Sequence, residues 1–266
     1  MAIKTVTQGT LEYLAAEGIG TPHAFTTRLG GISQEQFFSL NIAMHRGDPS
    51  ENVQKNYAIL AKALDFSVDA LVLTRQIHSD IVRVVTRQDA RGTDHRAYPE
   101  CDALITRDPG TALGIFTADC TPILFQDPVT GAVGAAHAGW RGTAADIGGK
   151  TVRAMAREFG CHPEDIQAAI GPNIGPCCFE TDADVPQALE TAFGSGVWEY
   201  IRRKQDKYYV NLKEINALAL RRAGVGKIEI SGSCTMCEHD RFWSHRYTRG
   251  NRGSQGAIIV CKEGNV

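Results

Sequence analysis

Residues 117–143 read TADCTPILFQDPVTGAVGAAHAGWRGT. Two apolar runs, Cys120 to Phe125 and Ala132 to His137, flank Asp127-Pro128-Val129-Thr130-Gly131, a cluster of turn-forming residues. The pattern predicts a β-hairpin with polar residues at its open end. If the hairpin is symmetric about the bond between Pro128 and Val129, Cys120 stands opposite His137. Opposed residues on one sheet face have Cβ atoms roughly 4.5–5.5 Å apart, close enough for a thiolate and an imidazole to share an ion or a proton.

Outward from this hairpin, apolar runs alternate with helical periodicities. Strands are expected at 23–28, in two short pieces within 71–86, at 102–106, 112–117, 166–170, 208–210 and 227–231, with a closing strand at 257–261. Helices are expected at 52–64, with Val53, Tyr57, Leu60 and Leu64 at helical spacing, and at 184–193 and 212–223. A further helix over 143–159 would be capped by Thr143 and stopped at Gly160. Residues 87–99 are polar and read as a loop. No internal repeat or linker interrupts the series, so residues 1–266 are read as one α/β domain with a mixed sheet.

The balance of 28 basic and 30 acidic residues gives no overall electrostatic case for nucleic acid or an anionic membrane. No stretch reaches the roughly 18 apolar residues of a membrane span, and the N-terminus lacks the apolar centre of a signal peptide. The chain is therefore expected to be soluble and cytoplasmic. In a reducing compartment its eight cysteines are more often buried, metal-bound or reactive than bridged. The Arg241 to Arg252 run, RFWSHRYTRGNR, interleaves aromatics with arginine as single-strand binders do, yet it also suits the mouth of a small-molecule site.

A histidine between apolar runs, such as His78, more often packs than ligates. Joined to Cys120 and His137 it completes a zinc set, and three protein ligands leave one tetrahedral position open, as catalytic sites do. Asp119 is placed to orient a ligand or move a proton. Trp140 and Arg141 offer an apolar plate and a forked cation for a base, a phosphate or a carboxylate. Without metal, Cys120 with His137 as base is a cysteine-hydrolase pair. The Cys234-x-x-Cys237 motif, with His239 and His245, raises a second metal site, and Cys177-Cys178 are read as packing residues.

The motifs TTRLGG (26–31), QIH (76–78), TADCTPILF (117–125), GAAHAGWRGT (134–143), IGPNIGPCCFE (170–180) and CT (234–235) resemble, in order, those of the YfiH/laccase-domain family. This family is also called multicopper polyphenol oxidoreductase-like, or purine nucleoside phosphorylase of the laccase-domain type. The resemblance implies a β-sandwich-like core flanked by helices, akin to bacterial cysteine-type deamidating toxins, with zinc on His78, Cys120 and His137. It also implies phosphorolysis of adenosine, inosine, guanosine and methylthioadenosine, and deamination of adenosine. Some members are linked to peptidoglycan precursor editing. Nucleoside and phosphate are then the partners, nucleic acid and membrane are not, and the chain is a monomer or small homo-oligomer.

In this reading Cys120, His137 and Asp119 are catalytic, with Glu180 a second candidate for proton transfer. Arg28, Asn41, Arg46, Trp140, Arg141 and Glu180 are the candidate substrate-binding residues. The sequence departs from the family pattern at Asn173-Ile174, Phe179-Glu180-Thr181 and Asn56-Tyr57. A laccase needs a type 1 copper and a three-copper cluster. Eight histidines without paired His-x-His motifs do not supply them, although copper on the same three ligands in vitro is compatible with the donor set. A nucleoside-binding module without turnover is the non-enzymatic alternative.

Overall fold

The computed structural model describes residues 3–262. In chain order the strands are β1 (Ile3–Gln8), β2 (Leu11–Ala16), β3 (His23–Thr26), β4 (Leu71–Leu73), β5 (Val82–Val84), β6 (Ala103–Thr106), β7 (Ala112–Thr117), β8 (Thr121–Gln126), β9 (Val133–Ala138) and β10 (Gln167–Ile170). There follow β11 (Glu180–Thr181), β12 (Ile201–Lys204), β13 (Lys207–Val210), β14 (Lys227–Ile230) and β15 (Gln255–Val260). The helices are α1 (Ser50–Leu64), α2 (Trp140–Ala144), α3 (Ile147–Phe159), α4 (Asp184–Phe193), α5 (Leu212–Arg222) and α6 (His245–Thr248).

Among the described residues, the strands form two six-stranded mixed sheets, β1-β2-β3-β15-β7-β4 and β14-β10-β8-β9-β6-β5, and a small sheet β11-β13-β12. The second sheet is covered on both faces. Leu104, Leu124, Ala135 and Ala169 join the core shared with the first sheet, whereas Ile105, Ile123, Phe125, Ala136 and Ile170 pack with Ile147, Val152 and Leu220 of α3 and α5. Burial on both faces explains why β8 and β9 read as continuous apolar runs rather than as alternations. The result is a single mixed α/β domain with a sandwich core and helices on its outer face.

Three local features differ from expectation. The hairpin register pairs Pro122, not Cys120, with His137. The turn decides this: Asp127 accepts the Val129 and Thr130 amides, and Gly131 takes φ +76°, so the loop centres one residue later. A slip of two residues keeps Cys120 and His137 on the same face, where a slip of one would have separated them. The 143–159 helix is broken, because Asp146 adopts a left-handed conformation and caps α3 through the Gly149 amide. Thr143 caps nothing and instead accepts a bond from Asn216. The amino-terminal hairpin β1–β2, turned at Gly9, extends the first sheet with a largely exposed β1 and a β2 that buries Leu11, Tyr13, Leu14 and Ala16 in the core.

Candidate functional site

His137 lies near the end of β9, buried, on the side of its sheet that faces the first sheet. Its Nδ1 is 2.8 Å from the Asp102 carboxylate at the head of β6, which leaves Nε2 for a ligand. The same carboxylate accepts the amides of Ile77, His78 and Ser79 and the Ser79 hydroxyl, at 2.7–3.2 Å. Asp102 therefore anchors at once the imidazole of β9 and the loop that carries His78. That loop bends sharply, with His78 at φ +61°. Cys120 sits just before β8, and continuing the hairpin register past the strands would set it against Gly139. A Cβ at Gly139 would lie 2.9 Å from His78 Cδ2 and 3.3 Å from Cys120 Sγ, so this position admits only glycine without displacement.

The donor atoms of His78, Cys120 and His137 all lie within 4.8 Å of one another. Zinc bonds of about 2.3 Å to sulfur and 2.0–2.1 Å to nitrogen, at tetrahedral angles, set S···N at about 3.6 Å. Cys120 Sγ and His78 Nε2 are 3.8 Å apart. The residues thus fit a tetrahedral borderline-soft ion, with a carboxylate–histidine pair behind the ligand as such sites have.

Burial alone would push the Asp102 carboxyl up, but hydrogen bonds from His137 and Ser79 hold it down at about 2. Burial likewise opposes charge on Cys120 and His137. Each nevertheless stabilises the other: the imidazolium lowers the Cys120 thiol to about 6, and the thiolate and Asp102 raise His137 to about 9. Without metal the pair is a thiolate beside an imidazolium.

These residues form one end of a cavity of about 340 Å³. Arg46, His95, Phe116 and Arg252 line it as well. Gln76, another lining residue, exchanges hydrogen bonds with the backbone N–H and C=O of Phe116, fixing that ring at the end of β7. Burial and the nearby Arg46 lower the Arg252 guanidinium to about 10. Arg252 Nη1 is held by Gly253 and Ser254, while its buried Nε and the buried His95 Nδ1 find no protein partner. Two close cations and two unpaired buried nitrogens make this wall suited to an anion with several oxygens.

Of the residues expected at the site, His78, Cys120, His137 and Arg46 meet at the cavity. The others stand elsewhere. Asp119, at φ +82°, spends both carboxylate oxygens on the Thr235 hydroxyl and the Arg246 amide, so it fixes a loop rather than facing the cavity. Arg28 lies 3.9 Å over the Trp243 ring and donates to the Phe38 and His239 carbonyls. Asn41 is buried, binding Ala43, Asp48 and Ser254 beneath the 43–46 lining segment. Trp140 packs against the α4–α5 core with Arg141 stacked on it at 4.2 Å. Glu180 is exposed and accepts from Tyr209. His239 stacks on Tyr247, 3.7 Å between centroids, and neither it nor His245 joins the Cys234 and Cys237 thiols in the metal-ligand groups of the described residues.

Arg252, the end of the Arg241 to Arg252 run read as suited to a small-molecule mouth, lines the cavity, whereas Asp102, Gln76 and His95 were given no role in the sequence reading. Only Asp102 carried a signal, as a lone carboxylate heading a fully buried strand, where an unpaired charge would be costly.

A mixed α/β sandwich with an open His–Cys–His site at the end of an arginine-walled cavity defines the class. A family model described as multi-copper polyphenol oxidoreductase laccase matches residues 22–262, and the chain belongs to that family, the one that includes the YfiH and YlmD proteins. A purine nucleoside phosphorylase of Deinococcus radiodurans is 40% identical over 249 residues, covering 94% of this chain and 92% of its own. Adenosine deaminase RL5, from an unknown prokaryotic organism, is 35% identical over 245 residues, covering 90% and 93%. The crystal structure of YlmD from Geobacillus stearothermophilus superposes with a TM-score of 0.91 at 36% identity, covering 98% of this chain and all of that one.

Proposed function

We propose that the protein is a zinc-dependent purine nucleoside enzyme that cleaves nucleosides by phosphorolysis and deaminates adenosine at the same site. The reading rests on one juxtaposition, the open three-donor site and the Arg46–Arg252 wall sharing a cavity. The curated relatives named for both activities support it. His78, Cys120 and His137 would hold the zinc, which when bound supplies Lewis acidity toward a substrate oxygen.

In phosphorolysis a phosphate oxygen bonds to C1′ of the ribose and the C1′–N9 bond breaks, with the purine leaving on the electron pair and taking up a proton. Arg46 and Arg252 bind and orient the phosphate, whose charge also stabilises the oxocarbenium character of the sugar. Phe116 offers a face for the base. Asp102 keeps His137 oriented through Nδ1 and fixes the His78 loop. In deamination, water replaces the 6-amino group and ammonia leaves. The side chains that move protons are drawn from the cavity rather than from Asp119 or Glu180, which point elsewhere.

The depressed Cys120 thiol favours a second reading, a metal-free cysteine hydrolase in which Cys120 is the nucleophile and His137 the base, a peptidoglycan precursor being one substrate class. A full laccase lacks support, because among the described residues the groups able to hold an ion are this one and a set of four cysteines. Purified protein incubated with adenosine, with and without phosphate, should release adenine only with phosphate and inosine in both cases. No product in either condition overturns the proposal. Full activity after metal stripping, lost in Cys120→Ser, would replace it with the second reading.

A further inference from the structure

Cys177 and Cys178 follow β10, and Cys234 and Cys237 follow β14, two strands that lie side by side and parallel. The loops continue in step: Asn173 and Cys234 form a parallel bridge, and the Thr235 amide donates to the Asn173 carbonyl. This alignment brings all four sulfurs within 4.8 Å of one another. Cys237 Sγ lies 3.5 Å from Cys177 Sγ and 3.4 Å from Cys178 Sγ. Such spacings are far beyond a disulfide bond of about 2.05 Å. They approach the S···S edge of about 3.8 Å that four 2.3 Å bonds to one tetrahedral zinc require. Cys177 and Cys178 are not packing residues: one is exposed and the other half-buried.

We propose that Cys177, Cys178, Cys234 and Cys237 bind one zinc ion as a closed structural site, separate from the His78–Cys120–His137 centre. The surroundings favour a thiolate at Cys234. The Gly175 amide donates to Cys234 Sγ at 3.1 Å, and a Cβ on Gly175 would press on Cys234 Cβ at 3.2 Å and Cys177 Sγ at 3.3 Å. Lys213, buried and donating to the Ser231 and Ser233 carbonyls, holds the approach to Cys234 and places a cation beside a complex of net charge −2.

Four protein ligands leave no open position, so the ion ties loops together. Both loops it joins grip Asp119, through the Thr235 hydroxyl and the Ile174 amide. Asp119 immediately precedes Cys120, so the staple steadies the backbone from which the other centre's thiolate projects. The assignment stands on geometry alone and does not depend on the nucleoside reading.

Metal analysis of the full chain, purified reduced and with zinc, should give two equivalents per chain. The Cys177→Ser/Cys237→Ser and His78→Ala/Cys120→Ser variants should each retain one. Zinc-edge X-ray absorption on the His78→Ala/Cys120→Ser variant should report a shell of sulfur only, at about 2.3 Å. On the unmutated chain, where folding is not in question, cobalt substitution should produce the intense sulfur-to-metal charge-transfer bands of a tetrathiolate. No zinc in the His78→Ala/Cys120→Ser variant together with no tetrathiolate bands on the unmutated cobalt-loaded chain, a mixed nitrogen and sulfur shell in the variant, or a disulfide among the four would overturn the proposal; a single equivalent on the unmutated chain that gives the tetrathiolate bands would instead count against zinc at the His78–Cys120–His137 centre.

Discussion

The two sulfur-bearing centres are built on opposite principles. The His78–Cys120–His137 site draws its ligands from a strand end and two bends, backs His137 with a buried carboxylate, and opens on a cavity walled by arginine. The four-cysteine cluster draws only on loops after parallel strands, is backed by a backbone amide, and offers four like donors. Three donors with a vacancy serve chemistry, and four without one serve structure. Low dielectric works differently on each. At the first site a thiolate and an imidazolium stabilise one another, whereas at the second burial and neighbouring thiols push Cys177 up to about 11.

The sharpest way to break this contrast is to exchange the readouts. Cys120→Ser should take nucleoside turnover to background and shift the thermal midpoint little. Cys177→Ser/Cys237→Ser should lower the midpoint and leave turnover measurable; calorimetry beside product chromatography separates the two. If each variant produced the other's signature, the roles would be reversed.

Alkylation of the metal-free protein gives the next largest effect. The lowered Cys120 value means thiolate above about pH 6, lost as pH falls through it. Cys177, though exposed, becomes thiolate only near 11. Four decades of missing thiolate at pH 7, partly offset by the greater nucleophilicity of the more basic sulfur, leave Cys120 about a hundredfold faster. Peptide mass mapping of iodoacetamide adducts against pH checks both inflections.

Asp102→Asn tests the buried carboxylate behind His137 at the first centre. Metal affinity there should fall about 10- to 100-fold, since the amide cannot accept from His137 and from three backbone amides as a carboxylate does. Stability should fall by about 3 kcal/mol at pH 7, the usual cost of breaking a buried pair. The sign with pH follows: the Asp102 contribution is complete above the unfolded carboxyl value of about 3.9 and is lost as pH falls toward 2. The variant's deficit should therefore shrink in acid, as denaturant titrations at several pH values would show.

How much of this was legible in the sequence depended on range. The hairpin and its Cys/His cargo are local, so 117–143 displayed them, and parity preserved the shared face although the turn moved the register. The α3 boundary failed because the Asp146 conformation, not Thr143 chemistry, sets the cap. Asp102 and the pairing of Cys177-Cys178 with Cys234-x-x-Cys237 are long-range facts, made by the β6–β9 and β10–β14 alignments, and no spacing along the chain encodes them. Arg28 and Arg141 lie outside the cavity lining for a related reason: Arg28 stacks on Trp243, distant along the chain, and Arg141 stacks on its neighbour Trp140.

The smallest expected effect is also the most discriminating, because both centres are crowded by a glycine. A methyl group at Gly139 must move the His78 ring edge or the Cys120 sulfur, and one at Gly175 must move Cys234 or Cys177. His78 has little room to yield, since its own amide and both flanking amides are tied to Asp102. Overpacking of this kind costs about 1 kcal/mol at its mild end, or roughly a fivefold loss of affinity. Gly139→Ala should therefore weaken zinc at the open centre about fivefold and leave the four-cysteine ion untouched, while Gly175→Ala should do the reverse. Competitive chelator titration resolves the two sites when one is first removed by His78→Ala/Cys120→Ser or by Cys177→Ser/Cys237→Ser. Equal weakening at both centres by either glycine variant would mean that the ions are coupled through the Asp119 loop more strongly than the separate ligand sets imply.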